Sequence, residues 1–115
     1  MRQLVLLALL CWTLQLTPSN VTRVIDGDTF VLNAVQVWPG VAAINEKVRV
    51  RDVDTPELSE PLGKEAKQFT EQWLATAAFD LKVCRRDSFG RVLGEVTRSG
   101  SLSLSESLKK AGLAK

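Results

Sequence analysis

The sequence predicts a small, mainly β domain of the α+β class: a five-stranded OB-fold barrel with two helices. Three observations lead there. The 115 residues, 45% hydrophobic and 24% charged, make one globular domain and leave no room for a second. Short β-branched stretches outnumber helical ones. The order of elements, three strands, a helix, two strands and a helix, is the layout of an OB-fold, which binds oligonucleotides or oligosaccharides on one face.

Each element has its own signal. Val21–Ile25 and Thr29–Leu32 are β-rich and flank Asp26-Gly27-Asp28, so they read as a hairpin. Asn33 to Asn45 is looser and is broken by Trp38-Pro39-Gly40. Lys47–Arg51 is a third strand, and Thr55-Pro56-Glu57 carries helix-start chemistry, with Thr as cap and Pro at the first turn. From Pro61 the period changes. Leu62, Ala66, Phe69, Trp73 and Ala77 recur at helical spacing and mark one apolar face. Phe79–Arg85 and Arg91–Thr97 are the fourth and fifth strands, joined by the Asp87–Gly90 turn. Ser103-x-x-Glu106 is a capping box opening a short helix that Gly112 closes.

The N-terminus reads as a secretory leader over residues 1–19. Arg2 precedes an apolar run from Leu4 to Leu16, and Thr17-Pro18-Ser19 supplies small residues at the spacing a signal peptidase prefers. The alternative is a membrane anchor or an apolar first strand. Leu10, ahead of Cys11, is not small, which argues against lipoprotein processing. The chain from residue 20 is expected to be secreted or periplasmic, monomeric and without stable membrane association. Its Cys84 would then stand alone, with no internal disulfide, as an inert strand residue.

Composition removes several chemistries. There is no His, so no Ser-His-Asp triad, Cys-His pair or His-based zinc site can be built. The net charge is +2, or +1 once Arg2 is gone, so there is no broad basic field of the kind that drives salt-dependent nucleic-acid binding. Catalysis, if any, falls to carboxylates, Arg, Lys or Cys.

Three motifs remain: Ile25-Asp-Gly-Asp-Thr29, Arg49 followed by Asp54-Thr-Pro-Glu57, and Asp87-Ser-Phe-Gly-Arg91. Taken singly they are a hairpin turn, a strand running into a capped helix, and a loop ending in a cation. Taken together, with Gly63–Thr70 and Gly112–Lys115, they resemble the staphylococcal nuclease (thermonuclease) family of secreted, calcium-dependent phosphodiesterases. The resemblance runs from about Thr22 to Lys115.

That resemblance implies a function and a site. Asp28, Asp54 and the Thr55 carbonyl would hold Ca²⁺. All three are hard oxygen donors, and so few of them predict a weak, open site with Kd on the order of 10⁻⁴–10⁻³ M. Asp26 would lie nearby as a charge rather than as a ligand. Glu57 would be the general base, and Arg49 and Arg91 would clamp the phosphate with paired donors. The Asp28, Asp54 and Glu57 carboxyl groups should converge on one cavity. The substrates would be DNA and RNA. The alternatives are a non-catalytic OB-type nucleic-acid-binding module and a truncated, inactive nuclease remnant. The family's pocket tyrosine and lysine are replaced here by Phe89 and Ser88, and its last helix is expected to be missing.

Overall fold

A computed structural model describes residues 11–115 of the chain. Most of the apolar run expected to be a leader, residues 1–10, lies outside the described residues. The strands are β1 (Trp12–Leu16), β2 (Val21–Asp26), β3 (Thr29–Leu32), β4 (Val35–Trp38), β5 (Val41–Ala43), β6 (Glu46–Val50), β7 (Phe79–Arg86) and β8 (Val92–Thr97). The helices are α1 (Gly63–Thr76) and α2 (Leu104–Lys110).

Six strands form one mixed sheet in the order β1-β7-β8-β6-β3-β2. Only β6 and β8 run parallel, and α1 lies in the connection between them. β4 and β5 make a separate two-stranded hairpin. The sheet belongs to the OB-like α+β class expected from the sequence, but it is not closed into a barrel. The five expected strands are β2, β3, β6, β7 and β8. The additions are the β4–β5 hairpin, inside the segment that looked loose, and β1.

β1 lies within the segment read as a leader. Trp12–Leu16 pairs along its full length with β7, and Leu14 and Leu16 are buried in the core. The apolar run therefore ends in a first strand, and the expected leader boundary falls inside the folded unit. The expectation of an unpaired, inert Cys84 fails. Cys84 is bonded to Cys11, the residue ahead of β1. Cys84 is the extra residue of a bulge against β8, between the Val83–Gly94 and Arg85–Leu93 pairs. A bulge turns its residue out of the ladder, and here that residue is the one bonded to the neighbouring edge strand.

The core follows the alternation of the strands. β3 is buried at every residue, as befits a strand flanked on both sides. Val48, Val50, Leu81, Val83, Val92 and Val96 complete the sheet's inner face, and Leu74 of α1 with Leu104 and Leu108 of α2 cover it. Phe30, Phe79 and Trp73 meet edge to face.

Both helices differ from expectation only in detail. α1 begins at Gly63, after Leu62 in the left-handed region (φ 68°), and no helix starts at Thr55. Glu57 and Glu60 instead close a turn of their own: the Glu57 N–H donates to Glu60 Oε1 (2.7 Å) and the Glu60 N–H to the Glu57 carbonyl (2.9 Å). The buried line of α1 is Gly63, Ala66, Thr70 and Leu74, one residue round from the predicted face. Phe69 and Trp73 flank that line, and Leu62 and Ala77 are exposed. α2 is opened by the expected capping box, with Ser103 Oγ accepting from the Glu106 N–H and Glu106 Oε1 from the Ser103 N–H, both at 3.1 Å.

The disulfide closes a loop with a sequence separation of 73. Loop-closure entropy for such a span is worth about 4 kcal/mol. Urea unfolding of the intact chain with and without reductant should show the reduced form less stable by up to about that amount. Coincident transitions would mean that the cross-link restrains nothing.

Candidate active site

The site begins with a close approach. Gly27, between β2 and β3, lies against Thr55 and Ala66 of α1, and a Cβ there would sit 2.8 Å from Thr55 Cγ2 and 2.9 Å from Ala66 Cβ. The glycine of the Asp-Gly-Asp turn is thus required by crowding. Thr70, buried on α1, donates its hydroxyl to the Gly27 carbonyl at 2.6 Å and ties helix to turn. The Val50 N–H donates to the Asp28 carbonyl (2.9 Å) and ties the turn to β6.

Asp28 is thereby fixed in a buried position, 5% exposed. Its Oδ2 accepts the Thr55 N–H at 3.0 Å and lies 3.3 Å from Arg49 Nη2, and its Oδ1 accepts the Thr29 hydroxyl at 3.0 Å. Burial alone would raise its pKa, but the hydrogen bonds with Asp26 and from Thr55 and the Arg49 charge hold it below the usual carboxylate range. Asp26 moves the other way, to about 6, first through burial and then through the neighbouring Asp28. Two adjoining carboxyl groups share one desolvated turn, and one of them holds the negative charge more readily.

Arg49 is braced on both sides. Nη1 donates to the carbonyls of Val50 and Val53, the latter at 2.8 Å, while Nη2 faces Asp28 and, at 3.6 Å, Asp54. Asp54 is the exposed partner. Its backbone is held by a reciprocal pair of hydrogen bonds with Lys115, at 3.0 and 3.1 Å. A single guanidinium thus brings Asp28, Asp54 and the loop carrying Thr55 together. Arg91 approaches from the start of β8. Its Nε donates to Asp87 Oδ2 at 2.7 Å, and its guanidinium carbon lies 5.3 Å from the Phe89 ring centre. Burial would raise the Asp87 pKa, but the Arg91 and Phe89 N–H groups and the Arg91 charge lower it. Arg49, Asp54 and Arg91 line one cavity of about 430 Å³.

Glu57 stands apart. It is exposed and is not among the residues lining that cavity. Among the described residues, no three His, Cys, Asp or Glu side chains cluster so as to hold a metal ion. Glu57 opens the Glu57–Glu60 turn, ahead of α1. That turn is packed tightly, since a Cβ on Gly63 would lie 1.9 Å from the Glu57 carbonyl oxygen.

The donors beside Arg49 nonetheless suit a hard cation. Asp28, Asp54 and the Thr55 carbonyl supply only oxygen, and the Thr55 hydroxyl is buried without a hydrogen-bond partner. Thr70, Gly27, Gly63 and Asp87, which position these groups, were not evident as such from the sequence. The DSFGR motif hinted at Asp87, four residues before Arg91. The close approaches at the two glycines leave no periodic trace.

Paired arginines beside hard oxygen donors, on an OB-like sheet, define a class: an α+β domain equipped to hold an anion. The family model for staphylococcal nuclease homologues matches residues 47–115, and the chain belongs to that family. It is similar to the thermonucleases of Staphylococcus intermedius (35% identical over 103 residues, 83% of this chain and 56% of the relative) and Staphylococcus hyicus (34% over 104 residues, 84% and 57%). An Escherichia coli protein described as an uncharacterized endonuclease is 27% identical over 96 residues, 84% of this chain and 58% of its own. The chain thus spans somewhat over half the length of these relatives.

The opposed shifts of the acidic pair give a pH test. A carboxyl group whose pKa is raised on folding favours the folded state below its unfolded value of 3.8 and costs stability as pH rises through about 6. In chelator, Asp26→Asn should therefore stabilise the fold above pH 7 by on the order of 1 kcal/mol, after allowance for solvent screening. The gain should vanish below about pH 4. Denaturant melts across pH read this directly, and a pH-independent difference would contradict it.

Proposed function

We propose that the chain is a calcium-dependent nuclease that hydrolyses phosphodiester bonds of DNA and RNA. The reading is carried by one observation: Arg49 of β6 and Arg91, just ahead of β8, line one cavity with Asp54. It is supported by membership of the staphylococcal nuclease homologue family and by the names of its relatives.

In this reading Arg49 and Arg91 grip the non-bridging oxygens of one phosphate. Arg49 is already braced by two carbonyls and Arg91 by Asp87, so little side-chain entropy is lost when an anion enters. Both guanidinium groups stabilise the charge that develops on the phosphate oxygens. Asp28, Asp54 and the Thr55 carbonyl would hold Ca²⁺, which when bound supplies Lewis-acid stabilisation of the phosphate charge. Glu57 takes the proton of the attacking water, its carboxylate being exposed and outside any ion pair among the described residues.

We also assign the N-terminal apolar run to export, outside the cell or into the periplasm. Such a compartment is oxidising, as the Cys11–Cys84 bond requires. Processing at residue 19 would discard Cys11 and β1, so the assignment puts processing ahead of Cys11. The intact mass of the exported chain checks this, and a product starting at residue 20 would refute it.

The activity test is plasmid nicking. Chelator should abolish cleavage, and Glu57→Gln should lower kcat by roughly 10²–10⁴ with little change in substrate binding. Cleavage indifferent to both would overturn the reading.

A further inference from the structure

The cavity contains four basic side chains, and they are not equivalent. Arg49, Arg51, Arg91 and Lys115 all line it. Arg49 is neutralised by Asp28 and Asp54, and Arg91 by Asp87. Arg51 and Lys115 have no ion pair and no side-chain hydrogen bond among the described residues. Beside the paired arginines the cavity thus carries two cations outside any ion pair, with Asp52 as its one remaining acid.

The backbones that carry these two cations are fixed. The Arg51 N–H donates to the Gly94 carbonyl at 2.8 Å, one step beyond the Val50–Gly94 pair, so the β6–β8 ladder is extended through Arg51. Lys115 is paired with Asp54 through both its N–H and its carbonyl. Val48 and Val50 point into the core, so Arg49 lies on the opposite side of β6, and Arg51, in the turn directly after it, lines the same cavity. Two residues of chain span at most about 7 Å, comparable with one step of a polynucleotide backbone. With a near-neutral net charge, attraction for a polyanion has to come from such local cations.

We propose that Arg51, helped by Lys115, binds the phosphate adjacent to the one gripped by Arg49 and Arg91. The site then selects a polynucleotide over an isolated diester. This rests on the nuclease reading and names the substrate feature it would favour. Arg51 is a specificity-determining residue in this account, remote from the reacting atoms.

The test compares Arg51→Gln and Arg51→Lys in the full chain, on a single-stranded oligonucleotide and on a dinucleoside monophosphate, which has one phosphodiester. Arg51→Gln should raise KM for the oligonucleotide about tenfold, the worth of one lost charged contact. The kcat should stay within about twofold, and kcat/KM for the dinucleoside monophosphate should be unchanged. Arg51→Lys should recover most of the loss, because one ammonium serves a single phosphate. Oligonucleotide binding in chelator supplies a readout that needs no cleavage: the slope of log K against log salt should fall by about 0.7 in Arg51→Gln.

Binding with the predicted slope change but no cleavage by the wild type would refute the nuclease reading and leave this inference standing. An unchanged slope, an equal loss on both substrates, or no oligonucleotide binding by the wild type would each overturn it. Lys115→Gln, at an exposed position, repeats the slope measurement should Arg51→Gln fail to fold, and an unchanged slope there counts against the proposal in the same way.

Discussion

The contact between Asp28 and Arg49 is the constraint on which the rest of this site depends. Asp28 is buried, and its carboxylate meets the Arg49 guanidinium, the Thr55 N–H and the Thr29 hydroxyl. These groups come from the β2–β3 connection, β3, β6 and the loop after β6; the Thr29–Arg49 ladder pair already joins β3 to β6, and the contact adds the loop to them. Burying such a pair yields little net stability, because desolvation offsets most of the attraction. Removing one partner is different, since it strands the other charge in a poorly solvated place. The contact therefore serves registry. It fixes where Asp54 and Thr55 leave the sheet, and through the Val50 and Val53 carbonyls it fixes the course of the loop between them.

Around that contact the fold is arranged for close approach. Gly27 lets the turn lie on α1, Thr70 bonds the helix to the turn, and Gly63 lets α1 begin against the Glu57 carbonyl. On the far side, Asp87 orients Arg91 through a five-residue loop closed by its own hydrogen bonds to the Phe89 and Arg91 N–H groups. The resulting cavity has two arginines held by carboxylates and two cations left over. The Cys11–Cys84 bond works at the opposite edge of the sheet, securing β1, the strand at that edge.

Much of the fold was legible in the sequence because alternation and helical period are strong signals for β2, β3, β6, β7, β8 and both helices. The rest was hidden for identifiable reasons. β1 has the composition of a leader, and only its pairing with β7 distinguishes the two. β4 and β5 are three or four residues long, too short for a period to register. The α1 face was misread by one position because Phe69 and Trp73 look more apolar than Thr70, yet Thr70 is the buried residue, satisfied by the Gly27 carbonyl. At the site, the family resemblance singled out Asp28, Arg49, Asp54 and Thr55; Arg49 faces Asp28 and Asp54, and Asp28 accepts the Thr55 N–H. Glu57 was placed beside them by the same resemblance; in the structure it opens a turn with Glu60, and α1 starts only at Gly63.

A double-mutant cycle on Asp28→Asn and Arg49→Met, read by urea unfolding in chelator, tests the registry role most directly. The account predicts a coupling energy of at least about 1 kcal/mol, with each single variant less stable than additivity from the double variant would require. Additive losses, with no coupling between the two positions, would contradict it, since the two side chains would then be neighbours without holding the site together.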